Sequence, residues 1–183
     1  ATMTSLIDQF KVASSASEQL NIVTEINETR NHIETMATLA SIRHSIDTRD
    51  EFYDAEQNYW DEYGPLYEEI NSLFYDAVVS SPYRNELEEK LSKQFFTILD
   101  YRLKAFSPEI IADLQEENKL SSQYTKLLAS AKIPFDGEER TLPGMGKYLL
   151  SEDRNVREAA SKAKYAFFEE HEAEIDEIYD QLV

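Results

Sequence analysis

The chain has 183 residues, with 36 acidic and 18 basic side chains, and its formal net charge is −18. Leu, Ile, Val and Phe make up about a quarter of the residues, above the roughly 20 % below which a highly charged chain stays unfolded. Four glycines and five prolines are too few for the turns of an all-β sandwich or barrel. A folded protein that is not all-β is therefore expected.

The composition also limits the partners. Acids outnumber bases two to one, which argues against binding bare nucleic acid, because such binding neutralises phosphates with Lys and Arg. The sequence has no apolar run of about 18 residues that could cross a membrane, and its start lacks the features of a signal peptide. The lack of cysteine excludes disulfides and thiolate zinc sites. We expect a cytoplasmic protein, with no nucleic acid and no membrane as partner.

Apolar residues recur at helical spacing along most of the chain, which predicts an all-α fold of long antiparallel helical hairpins. A first helix is predicted over residues 5–13. Ser15 and Glu18 have the spacing of a capping box, which predicts that a second helix begins there and extends to Asp47. A third long helix follows, with one apolar face over residues 53–77.

Prolines divide the middle of the chain. Gly64-Pro65 interrupts the third helical pattern and predicts a kink. Ser81-Pro82 and Ser107-Pro108 each resemble a helix cap followed by proline at the first helical position. One helix is predicted after the first pair, and one helix, or two broken near Asn118, after the second.

A small β-hairpin is predicted near residues 133–142, because Asp136-Gly137 suits a two-residue hairpin turn. Residues 143–146 lead into a short helical turn. A last helix is predicted to begin near Ser151 or Asp153. Its apolar stripe is still continuing at Val183, without a C-terminal cap, so we expect the chain to be a piece of a longer protein.

The motifs of known active sites are incomplete. A helical zinc peptidase needs His-Glu-x-x-His, but the nearest match, His171-Glu172, has Ile175 at the second ligand position. His171 also lies within the apolar stripe of the last helix, four residues from Phe167 and from Ile175, so it is expected to be half-buried in a packing seam. His32 and His44 are too far apart on one helix to share a metal. None of the three histidines follows a glutamate by three residues, which argues against a ferritin-like di-iron bundle.

Eleven tyrosines allow two interpretations. They could line a peptide-binding groove, since their hydroxyls hydrogen-bond while their rings pack. At helical spacing, packing in the core with the hydroxyls at the surface is favoured.

Several stretches of the sequence occur together. Each stretch alone is weak evidence for a protein family, but their combination is specific. They are residues 31–44, 46–48, 106–111, 117–120, 124–127, 135–138, 153–159 and 176–183. In this combination the sequence resembles the N-terminal part of thimet-oligopeptidase-like zinc metallopeptidases, in the oligoendopeptidase F-related branch. The resemblance covers nearly the whole chain.

The resemblance implies an all-α, clam-like enzyme whose channel admits short peptides and excludes folded proteins. It implies that zinc is bound downstream, by His-Glu-x-x-His and a third glutamate, in a catalytic domain of the same polypeptide. None of those positions exists here, so no catalytic or metal residue is assigned, and substrate-binding residues stay unknown. Residues 1–106 are interpreted as a long-helix hairpin region and residues 107–183 as an oligoendopeptidase F-type N-terminal helical domain, together forming one continuous lobe.

The leading hypothesis is a non-catalytic N-terminal lobe that walls the substrate channel of a zinc oligopeptidase. The excess of acidic side chains in this lobe could favour basic peptide substrates. A run of charged residues, however, usually indicates only a solvent-exposed face. The alternative is a stand-alone acidic helical adaptor that binds a basic partner or another helix through the apolar stripe of its last helix.

Overall fold

The computed structural model describes residues 2–183, which form two compact units, one up to Glu116 and the other Glu117–Val183. In these residues there are nine α-helices and one two-stranded hairpin, which confirms the predicted all-α class with a small β element. The helices are α1 (Thr2–Val12), α2 (Ala16–Ile46), α3 (Glu51–Val79), α4 (Arg84–Leu91), α5 (Lys93–Ala105), α6 (Ile111–Ala129), α7 (Gly146–Leu149), α8 (Arg154–Glu170) and α9 (Glu172–Leu182). The strands are β1 (Ile133–Phe135) and β2 (Glu138–Arg140).

The core of the first unit lies at one end of the long α2–α3 hairpin. Phe10 of α1 contacts Phe74 of α3 edge-to-face, with ring centroids 6.4 Å apart, and both rings are buried. Ile26 is the last residue of α2 in this core, and Tyr67 is the first residue of α3 that packs against it. The hairpin therefore extends well beyond the core, with α2 and α3 packed on each other.

Local side-chain caps set the ends of the hairpin helices. The Ser15 hydroxyl accepts the backbone N–H of Glu18 at 3.2 Å, as predicted. The Glu18 carboxylate reaches back to the N–H of Ser14 at 2.8 Å, one residue earlier than a capping box requires. Asp50 caps α3 by accepting two backbone N–H groups, and α2 ends before Asp47 as expected. Helix α3 is continuous through Gly64 and Pro65.

The prediction for Ser81-Pro82 places the helix start too early. The Ser81 hydroxyl does accept the N–H of Tyr83 at 3.0 Å, while it donates to Gln19 Oε1 at 2.6 Å, but it caps only a turn. Helix α4 begins at Arg84. The single helix predicted here is also broken at Ser92, which has a φ of 85°. By contrast, Ser107 does cap a turn that begins with Pro108, and α6 continues unbroken through Asn118.

The second unit contains the predicted hairpin. Phe135 pairs with Glu138, so Asp136 and Gly137 form a two-residue turn with φ values of 55° and 75°. Both residues have a positive φ, as a type I′ turn requires. The backbone twist of this turn matches the twist of the two strands, and Asp-Gly favours it. Helix α8 begins after Asp153, whose carboxylate accepts the N–H of Asn155.

The last helix was predicted as one but is two, because the chain turns at His171 between α8 and α9. No glycine or proline marks this break. After the turn, Ile175 and Ile178 pack against Leu120 and Leu127 of α6. Burial of these apolar side chains overrides the continuous helical pattern of the sequence.

Ser92 provides a test of backbone strain. Its positive φ is costly for any residue with a Cβ, while its hydroxyl caps α5 by accepting the N–H of Phe95 at 3.3 Å. Ser92→Gly removes the strain and weakens the cap only slightly, so we expect it to raise the free energy of unfolding by about 0.5–1 kcal/mol. Ser92→Ala keeps the strain and loses the cap, so we expect a decrease of about 0.5–2 kcal/mol. Urea denaturation measures both, and a glycine variant less stable than the parent would contradict this account.

Candidate functional site

The three histidines do not form a metal site. His32 is exposed, and His44 is buried with its Nε2 atom 3.4 Å from Asp54 Oδ1 on the neighbouring helix. His171 is partly buried, as predicted, and its ring lies 4.6 Å from that of Phe167. Within residues 2–183, no group of three or more His, Cys, Asp or Glu side chains could hold a metal ion. The side chains described here therefore do not fit a zinc centre.

The near-match to the zinc motif has a packing role instead. Ile175, which occupies the position of the second histidine ligand, packs against the apolar cluster of α6 and α9. His171 Nδ1 lies 3.6 Å from Glu174 Oε2 within the same segment. The motif is thus part of the junction between α8 and α9.

A buried polar cluster lies where the hairpin leaves the core. The Tyr75 hydroxyl accepts hydrogen bonds from Arg30 at 2.9 Å and from Arg102 at 3.2 Å. Both guanidinium carbons also lie within 6 Å of the Tyr75 ring centroid, at 5.3 and 5.7 Å. Since Arg30 is on α2, Tyr75 on α3 and Arg102 on α5, this one phenol connects three helices.

The same cluster contains polar atoms without a hydrogen-bond partner in the described part of the chain: Arg30 Nε, Tyr67 OH and Asn71 Oδ1. Burial raises the pKa of Tyr67 above its usual value, and the nearby Asn71 and Arg30 oppose the shift only partly. No hydrogen bond of good geometry joins the Tyr67 hydroxyl to either neighbour. The cluster therefore favours the neutral phenol.

An apolar groove lies farther along the hairpin. It has a volume of about 360 Å³ and is lined by Met36, Phe52, Ala55, Glu56, Tyr59 and Trp60. The Tyr59 ring stacks on Tyr63, with centroids 4.5 Å apart and planes 21° apart, and contacts Trp60 edge-to-face at 5.5 Å. The rings therefore hold one another in place at the surface.

The groove changes the interpretation of the tyrosines. Tyr75 is buried, but six of the eleven are exposed, so core packing does not describe the tyrosines as a set. The exposed six are Tyr59, Tyr63, Tyr101, Tyr124, Tyr165 and Tyr179.

No helix in residues 2–183 is both long and apolar enough to cross a membrane.

The family described as the peptidase M3 N-terminal domain matches residues 1–106, more than half of the chain, and the chain belongs to that family. The family assignment confirms the resemblance found in the sequence.

Solved structures extend the similarity to nearly the whole chain. PZ peptidase A, whose structure was solved with an inhibitor, shares 50 % sequence identity with this chain. The two structures superpose with a TM-score of 0.96, and the match covers 99 % of this chain and 32 % of the PZ peptidase A chain. Oligoendopeptidase F from Bacillus anthracis strain Ames shares 47 % sequence identity with this chain. Its structure superposes with a TM-score of 0.95, and the match covers 98 % of this chain and 33 % of the oligoendopeptidase F chain. The chain thus spans about a third of the length of these proteins. No curated protein matches it.

The shared phenol can be tested by removing its oxygen. Tyr75→Phe leaves Arg30 and Arg102 without their common acceptor, so we expect the free energy of unfolding to fall by about 1.5–3 kcal/mol. Tyr101→Phe is the matched control, because Tyr101 is 67 % exposed, and it should change stability by less than about 0.5 kcal/mol. Equal effects of the two substitutions in urea denaturation would show that the cluster does not stabilise the fold.

Tyr67 should contribute to the loss of stability at alkaline pH. Because its pKa is raised in the folded state, the unfolded chain releases this proton first, and stability falls as the pH rises above about 10. Tyr67→Phe removes this contribution, so its free energy of unfolding should decline less steeply between about pH 9 and 11. Urea denaturation at several pH values measures the slopes, and identical slopes would refute the shift.

Proposed function

We propose that this chain is the N-terminal, non-catalytic lobe of a zinc-dependent oligopeptidase that hydrolyses internal bonds of short peptides. The observation that carries the proposal is a 50 % identity to PZ peptidase A over 99 % of this chain but only 32 % of that protein. A fragment that matches a third of a peptidase so closely is best explained as the same third of a related enzyme. We propose a cytoplasmic location for the whole protein.

In this proposal, zinc and the catalytic residues belong to a downstream domain of the same polypeptide. The lack of a metal-binding cluster among residues 2–183 agrees with a lobe that contributes shape. The lobe walls the substrate channel, which admits short unfolded peptides and excludes folded proteins. Its long hairpin, which reaches well beyond its own core, is suited to form such a wall.

We further propose that residues 1–106 act as the long-helix hairpin region and residues 107–183 as the second part of one lobe. The family match that ends at residue 106 supports this division. The fold separates into two compact units ten residues later, between Glu116 and Glu117.

The test compares this chain with a longer version that includes the sequence encoded downstream. We expect the longer protein to cleave an internally quenched short peptide, to lose activity with a chelator and to regain it with zinc. The 183-residue chain should give no cleavage above the uncatalysed rate, because residues 2–183 contain no metal-ligand cluster. Cleavage by this chain alone would contradict the proposal, as would inactivity of the folded, zinc-loaded longer protein.

A further inference from the structure

The groove of the α2–α3 hairpin is accessible within the first unit. Phe52 is 62 % exposed, Tyr59 53 % and Met36 40 %, although these side chains line one shared depression. An exposed, contiguous apolar surface of this kind marks an interaction site more often than isolated apolar residues do. Trp60, the only tryptophan in the chain, also lines the groove.

The geometry of the hairpin explains why the groove is open. Between Ile26 and Tyr67, the buried core of the first unit has no members from either helix. Beyond the core, the apolar side of α3 continues but stays exposed. Phe52, Tyr59 and Tyr63 lie on this side at spacings of seven and four residues, and Tyr67, which packs against the core, follows Tyr63 by four.

The charges around the groove favour a positively charged partner. Residues 31–66 contain eight acidic and two basic side chains. Both basic residues are engaged: Arg43 binds Glu56 at 3.0 Å and Arg49 binds Asp47 at 3.2 Å.

Two exposed carboxylates lie beside the apolar lining. Glu51 is one helical turn from Ala55, and Glu62 is one turn from Tyr59. Neither has an ion-pair partner among the salt bridges of the described residues. The surface is therefore apolar in its centre and negative along its side. A second copy of this chain would bring like charges together, which opposes self-association.

We propose that this groove docks a peptide segment that places an aromatic or long aliphatic side chain next to Lys or Arg. The apolar side chain packs against Phe52, Tyr59 and Trp60, while the basic group lies near Glu51 or Glu62. That such a segment belongs to a peptide substrate rests on the proposed function. The docking itself depends only on this hairpin.

Trp60 provides a direct readout of docking on the 183-residue chain. The probe is a short peptide with blocked ends that contains Phe between two Lys residues, titrated while Trp60 fluorescence is recorded. We expect a saturable change that weakens as salt is added. Replacing both Lys by Glu, or Phe by Ala, should each raise the dissociation constant by about tenfold or more.

Protein variants locate the contact. Tyr59→Ala should weaken binding of the Lys-Phe-Lys peptide by about fivefold or more, because a stacked ring of the groove is lost. Tyr101→Ala is the control, since Tyr101 is exposed on α5 and is not in the groove, and its affinity should be unchanged. Circular dichroism confirms that both variants keep their helices, as expected for exposed side chains.

The inference would be overturned by no saturable change in Trp60 fluorescence, by equal binding of the Glu-Phe-Glu peptide, or by equal loss of affinity in both variants. A fluorescence change that follows protein concentration without peptide would assign the groove to a second copy and also overturn it. Peptide hydrolysis by the longer protein is measured separately. Docking can therefore fail while the proposed function stands, and the reverse outcome is equally visible.

Discussion

The first unit depends on one buried amide. Gln19 is 1 % exposed, and its Nε2 atom donates to the carbonyl of Phe10 at 3.0 Å while its Oε1 atom accepts from Ser81 at 2.6 Å. These two bonds tie the end of α1 to the start of α2 and to the segment after α3. A buried amide left unpaired would be costly, so the satisfied bonds specify one arrangement of the three helices. The core around Phe74 forms beside this junction, and the hairpin extends from it.

Much of the fold could be predicted because its signals are local. Ser15 and Asp153 act as caps through their own side chains, and Asp136-Gly137 tolerates the positive φ values of its turn. The errors concern where helices begin and break. Ser81 accepts the N–H of Tyr83 as a cap does, but the turn that follows delays the start of α4 to Arg84. The breaks at Ser92 and His171 lack glycine or proline, so helical periodicity passes through both positions unchanged.

The family could be predicted from the sequence, but the groove could not. Phe52, Tyr59, Tyr67 and Phe74 lie on one apolar side of α3. Periodicity alone does not tell which part of this stripe faces the core. Because the core ends at Ile26 and Tyr67, Phe52 and Tyr59 stay exposed. No catalytic motif marks the groove in the sequence, because its lining is mainly apolar and aromatic.

The central claim is that the chain is one lobe of a larger peptidase. The most direct measurement is to sequence the source gene downstream of the codon for Val183. The claim predicts an open reading frame of several hundred further residues that encodes His-Glu-x-x-His, in keeping with relatives of which this chain covers only 32–33 %. A stop codon directly after Val183 would contradict it, and the chain would then be a non-catalytic relative whose binding partners need to be found.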